Sequence, residues 1–161
     1  MAETHLPTTK ETRDLLSGLL GRDVTLVPCP PLAPRPGAPR TVATYVDDHF
    51  GLRAIIACDL EFSARAGAAL ALIPAPAAEA AIETKGLGDN LTENLYEVLN
   101  VAASLFNVPG AVHVRLLELH AAGTAIPPQV ESRILTLGRR EDLEVNITGY
   151  GPGRLSVVII S

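Results

Sequence analysis

Between Asn90 and Asn107 the chain reads NLTENLYEVLNVAASLFN, with apolar residues at helical spacing on one side only, and this one-sidedness constrains the fold most. At about 100° per residue, Leu95, Val98, Leu99, Ala102, Leu105 and Phe106 gather on a single face. A helix of this kind is marginal alone and must bury that face against a second layer. Glu93, Glu97, Asn100 and Ser104 fall at i, i+4, i+7 and i+11, within a wedge of roughly 60° on the opposite side. The spacing predicts a helix over 90–107 with Asn90 at its N-cap. Glu93 then reads as the second member of a capping box, its charge suited to the positive end of the helix dipole. Glu97 and Asn100 read either as solvated surface residues or as recognition residues. An asparagine in mid-helix is a mild oddity, because its propensity is poor and its amide competes for the backbone.

A chain of 161 residues fits a single domain, 1–161, able to bury most of its apolar surface without staples. Apolar residues make up 47%, aromatics only 4%, and Trp is absent, so the core must be built from Leu, Val, Ile and Ala. That composition excludes a disordered chain and argues against a binder that depends on base stacking. The net charge of −5, with no basic cluster along the chain, makes nucleic acid and anionic membrane surfaces poor partners. The N-terminal MAETHLPTTKETRD has neither a charged n-region nor an apolar h-region, and no apolar run approaches the roughly 18–20 residues that span a bilayer. Cys29 and Cys58 are isolated and suit two inert thiols in a reducing compartment, so the protein is expected in the cytoplasm. The sequons at Asn90 and Asn146 are then chance matches.

Thr8 to Leu20 reads as a helix, with Thr8 and Glu11 as a capping box, an apolar stripe of Leu15, Leu16, Leu19 and Leu20, and Gly21 as the stop. Val24 to Val27 suits a short strand. Prolines at 28, 30, 31, 34, 36 and 39 follow, a stiff surface loop over about 28–39 that can neither continue a ladder nor form a helix. Thr41 to Val46 and Leu52 to Cys58 flank a hairpin-length turn. Glu61 to Ile73 is an Ala-rich helix ending before Pro74, and APAAEAAIETKGLG reads as a connector with at most a turn of helix. Val112 to Leu119 alternates like a strand, and Gln129 to Leu137 fits helix or strand. Leu143 to Thr148 and Arg154 to Ile160 form a closing hairpin, and an exposed edge at Arg154 to Ile160 would invite a homodimer.

No self-contained active site emerges. The GYGPG segment at 149–153 leads into a strand, whereas a phosphate loop must open into a helix. His5, His49, His113 and His120 lack metal-ligand spacing, and Asp47-Asp48-His49 suits a hairpin turn better than a cation site. Ser17 and Gly18 lack the strand-to-helix setting of a nucleophile elbow.

In order along the chain, ETRDLLSGLLGRDVTL, GLRAIIACDLEFSARAGAALALIP, LTENLYEVLNVAASLF and LEVNITGYGPGRLSVVII resemble the chemotaxis phosphatase family of the CheC, CheX and FliY type. The most specific piece is the family's Glu-x-x-Asn, here Glu97 and Asn100. The resemblance implies a CheX-like α/β (α+β) fold, an antiparallel-rich sheet packed against two or three helices. It implies docking of Glu93, Glu97, Asn100 and Ser104 on a phosphorylated, CheY-like receiver domain of a response regulator. Glu97 and Asn100 would act as catalytic residues of an aspartyl-phosphate phosphatase, a hydrolase. The receiver would supply the phospho-aspartate, a lysine that pairs with Glu97, and Mg²⁺, so the chain itself needs no cofactor or metal. A carboxamide both donates and accepts, so Asn100 can hold a water in line without titrating, as a positioning amide does in GTPases. Glu93 stands where the family often has Asp or Ser, and the family's downstream proline falls on Gly123, with Pro127 and Pro128 nearest. The first helix, whose acidic segment runs from Glu11 to Asp14, has no second Glu-x-x-Asn, which favours the one-site CheX arrangement. A non-catalytic receiver-binding adaptor or flagellar-switch-like module with the same fold is the alternative.

Overall fold

A computed structural model describes residues 2–32, 35 and 37–160. Helix α1 (Thr9–Leu20) begins on the expected capping box, with the Glu11 amide donating to the Thr8 hydroxyl at 3.1 Å and the Thr8 amide donating to the Glu11 carboxylate at 2.9 Å. It stops at Gly21, whose φ of 67° is the left-handed conformation that glycine adopts freely. Strand β1 (Val24–Pro28) precedes the proline-rich loop, of which Ala33, Pro34 and Pro36 lie outside the described residues. Strands β2 (Arg40–Val46) and β3 (Leu52–Asp59) form the first hairpin. The Asp59 carboxylate caps helix α2 (Leu60–Leu70) by accepting from the Phe62 amide at 2.8 Å.

The segment read as a connector is instead a ten-residue helix, α3 (Ala75–Thr84). Its prolines mislead because Pro74 and Pro76 sit at the N-cap and in the first turn, where no intrahelical donor is needed. Helix α4 (Gly88–Val101) and a 3₁₀ turn (Ala102–Leu105) lead to strand β4 (Arg115–His120). The ambiguous segment near Gln129 is a helix, α5 (Pro128–Ile134), again entered through proline. The chain closes with β5 (Arg140–Ile147) and β6 (Gly151–Ile159), paired as the expected hairpin.

All six strands lie in one antiparallel sheet, in the order β1-β5-β6-β3-β2-β4. Strand β6 therefore lies between β5 and β3, which corrects the expectation of a free edge at Arg154 to Ile160. Its run of Val157, Val158, Ile159 and Ile160 is buried on both faces, the pattern of a central strand. On one face Ala54, Ile56, Cys58, Leu155, Val157 and Ile159 join Leu16, Phe62, Leu95, Leu99 and Phe106 in the main core. Helices α1, α2 and α4 pack against the sheet here, with α3 laid on α2. The alternate residues Val42, Ile55, Ala57, Val158 and Ile160 meet Val130 and Ile134 of α5 on the opposite face. Arg140 pins this small layer, donating to the carbonyls of Ile134 and Thr136 at 2.9 and 2.8 Å while holding Asp142 with two further bonds.

Cys29 and Cys58 are free, and burial pushes both thiols up, so neither is a thiolate near neutral pH. Among the described residues no helix is long and apolar enough to cross a membrane.

Candidate functional site

Three contacts fix α4 on the core. A Cβ at Gly67 of α2 would lie 2.8 Å from the Leu91 carbonyl oxygen, so glycine there lets the two helices approach backbone to backbone. Asn94 secures the same crossing by donating to the Gly67 carbonyl at 3.0 Å. At the far end the buried Tyr45 hydroxyl donates to the Leu99 carbonyl at 2.6 Å, and its ring packs on Phe106 with centroids 5.1 Å apart. Asn107 then ties the exit to the next strand through paired 2.9 Å bonds with the Val114 backbone. Leu95, Val98, Leu99, Ala102, Leu105 and Phe106 are all buried, as their spacing required.

The helix bounds differ from those expected. Helix α4 starts at Gly88, entered with φ of +72°, and its cap residue Leu87 makes no side-chain cap bond. Asn90 therefore lies inside the first turn rather than at the N-cap, and Glu93 is not part of a capping box. The physical reason is tertiary: the left-handed Lys85 and Gly88 steer the chain off α3, and buried Leu87 anchors it where α4 begins. Regular α winding ends at Val101, and the tighter 3₁₀ turn carries Ala102, Ala103 and Leu105 into the core together.

What remains outward is the acidic face. Glu93, Glu97 and Asn100 on α4 and Ser104 on the 3₁₀ turn are all exposed. Glu97 and Asn100 are one turn apart and side by side at i, i+3. None of the four side chains has a hydrogen-bond or ion-pair partner among the described residues, in contrast to Asn94 and Asn107, whose amides are both occupied. Tyr96, which sequence reasoning passed over, is 45% exposed on the flank of this face. With Thr92, Glu93 and Leu119 it lines a shallow groove of about 330 Å³, and Leu117 of β4 is also exposed. An aromatic beside the polar wedge was the available signal, since a core helix buries its aromatics.

The other candidates have structural employment. Asp47 accepts from the amides of His49 and Gly51 and from Arg53 Nε, at 2.9, 2.9 and 2.8 Å, and the Arg53 guanidinium leads these in holding its carboxyl down at about 2. His5 lies 3.0 Å from Glu11, and His120 lies 3.3 Å from Glu118. Tyr150 of the GYGPG turn donates to the Ile73 carbonyl at 2.6 Å with Arg22 over its ring. Among the described residues no group of three or more His, Cys, Asp and Glu gathers as a metal site would. The face on α4 thus presents two carboxylates, a carboxamide and a hydroxyl, none of them paired with a cation among the described residues.

No protein-family model matches the chain, and no curated protein matches it in sequence. Solved structures do match in shape. The FliM–SpeE complex from H. pylori aligns at a TM-score of 0.60 and 8% identity, over 93% of this chain and 80% of that one. The CheX–CheY–BeF₃–Mg²⁺ complex from Borrelia burgdorferi aligns at 0.54 and 12% identity, over 94% of each chain. FliY from Thermotoga maritima aligns at 0.50 and 14% identity, over 94% of this chain and 82% of that one. The fold is that of CheX, FliY and FliM, as the sequence resemblance implied.

Proposed function

We propose that the chain docks its α4 face on the phosphorylated receiver domain of a response regulator and promotes hydrolysis of the aspartyl-phosphate. One observation carries this reading: Glu97 and Asn100 stand exposed and without partners among the described residues, one turn apart, on a fold shared with a CheX solved with CheY, BeF₃ and Mg²⁺. In this reading Glu97 pairs with a receiver lysine and sets the register of docking. Asn100 accepts from an incoming water with its carbonyl and donates to a phosphoryl oxygen with its amide. Water oxygen bonds to phosphorus as the acyl–phosphate P–O bond breaks, leaving the receiver carboxylate and inorganic phosphate. The receiver would supply Mg²⁺, whose charge would offset that of the phosphoryl group. Glu93 and Ser104 extend the contact, and Tyr96 gives the rim an apolar anchor of the kind that dominates interfaces. In this reading the protein works in the cytoplasm, beside its receiver.

The test is decay of acyl-phosphate on receiver domains from the same organism. Wild type is expected to accelerate it. Asn100→Ala is expected to abolish the acceleration while keeping most of the binding, and Glu97→Ala to weaken binding as well. No binding and no acceleration across those receivers would remove the proposal. A second reading is a protein-binding module without catalysis, favoured by the alignment to FliM chains solved with SpeE and with FliG. Binding to a receiver with unchanged decay would select it.

A further inference from the structure

The sequence contains no run of basic residues, yet the fold assembles one. Arg40 at the start of β2, Lys85 after α3 and Arg154 on β6 line a single cavity of about 460 Å³, within the range of small-molecule sites. None of the residues lining it belongs to the α4 face. Lys85 and Arg154 have no carboxylate partner among the ion pairs of the described residues, in a protein of net charge −5. Arg40, with a side chain only 9% exposed, pairs with Glu131 through Nη2 but leaves Nη1 buried with no hydrogen-bond partner among the described residues. An orphaned buried N–H is costly, and a nearby anion reduces that cost. Lys85 is itself out of place by backbone preference. It closes α3 in the left-handed conformation with φ of 58°, where glycine is usual, although Gly86 follows directly. Its ammonium reaches toward Gly37 of the proline-rich segment, where a Cβ would stand 3.4 Å from Nζ.

The same lining holds other chemistry: Asp59, which faces Arg40 across the β2–β3 ladder, and Glu61 bring carboxylates, and Ile82 brings apolar surface. Asp59 uses one oxygen to accept from the Phe62 and Arg154 amides, at 2.8 and 3.0 Å. The carboxylates offer acceptors to hydroxyl or amino groups of a ligand whose phosphate sits on the cations. We propose that this cavity binds a small phosphorylated metabolite carrying hydroxyl groups, of the nucleoside phosphate class, with its phosphate on Lys85, Arg154 and Arg40. This is a second site, independent of receiver docking.

Calorimetric titration of the intact chain with inorganic phosphate, pyrophosphate and ADP tests it. Saturable binding of ADP is expected, tighter than that of inorganic phosphate and weakening as salt rises. Lys85→Ala and Arg154→Ala are each expected to weaken it about tenfold or more, and Lys85→Arg to restore it, since charge-assisted bonds to phosphate are strong ones. Circular dichroism melts check that the variants fold. Saturable binding of pyrophosphate but not ADP would overturn the assigned ligand class. No saturable binding of any probe, or binding unchanged in both alanine variants, would overturn the site.

Discussion

Asp59 shows how one side chain can serve two elements at a thermodynamic cost. It ends β3 and caps α2, and burial pushes its carboxyl up to about 6 against the pull of the Arg154 and Phe62 amides. The folded chain therefore holds a proton that the unfolded chain releases at lower pH. This group's contribution to stability is fullest below about pH 4 and is lost as pH rises through about 6. Asparagine caps helices as well as aspartate and carries no charge. Asp59→Asn is expected to stabilise the protein at pH 7 by roughly 1–3 kcal/mol and to flatten that decline. Urea melts between pH 4 and 8 read both effects; an equal loss of stability at every pH would contradict the assignment. Asp47 runs the other way. Its contribution is present above the unfolded carboxylate range and disappears as pH falls through about 2. The Asp59 shift is not legible along the sequence, because its burial comes from packing with distant parts of the chain, whereas the groups that hold Asp47 down lie within six residues of it.

At the level of elements, α4 owes the setting of its exposed face to the way it is seated. Gly67 permits the close crossing with α2, and nothing in SARAGAALAL marks that glycine as different from its alanine neighbours. Gly67→Ala places a Cβ against the Leu91 backbone, where no side chain can yield, and is expected to cost about 1–3 kcal/mol as an overpacked contact. Denaturant melts check the stability. The receiver assay is expected to show weakened docking, because Glu97 and Asn100 move with the helix. The periodicity of α4 was legible: all six residues read as its apolar side are buried, and Leu91 and Ala103 join them. Its first residue was not, because Leu87 and Gly88 set the start through packing and a backbone turn rather than through a capping side chain. Helix α3 was missed for a related reason: proline breaks a helix in its interior, not in its first turn.

Over the whole molecule, strand order decides which surfaces are available to partners. The open edges are β1 and β4, and both are blunted. Strand β1 has five residues and ends at Pro28, and β4 carries a bulge between Leu116 and Glu118, where the pairing with β2 shifts. Sheet extension into a second copy is thus disfavoured, and light scattering is expected to show a monomer at micromolar concentration. A dimer abolished by Leu117→Glu would instead identify the exposed face of β4 as an interface. The sequence by itself determined α1, α2 and the two hairpins in their order, the apolar side of α4 and the outward setting of Glu97 and Asn100, because these follow from local periodicity. It also carried the resemblance that implied the fold. Tertiary structure alone decided that β6 is central, that Glu93 caps nothing, and that Arg40, Lys85 and Arg154 share a cavity. Those outcomes depend on contacts between segments far apart in the chain, which no reading of neighbouring residues contains.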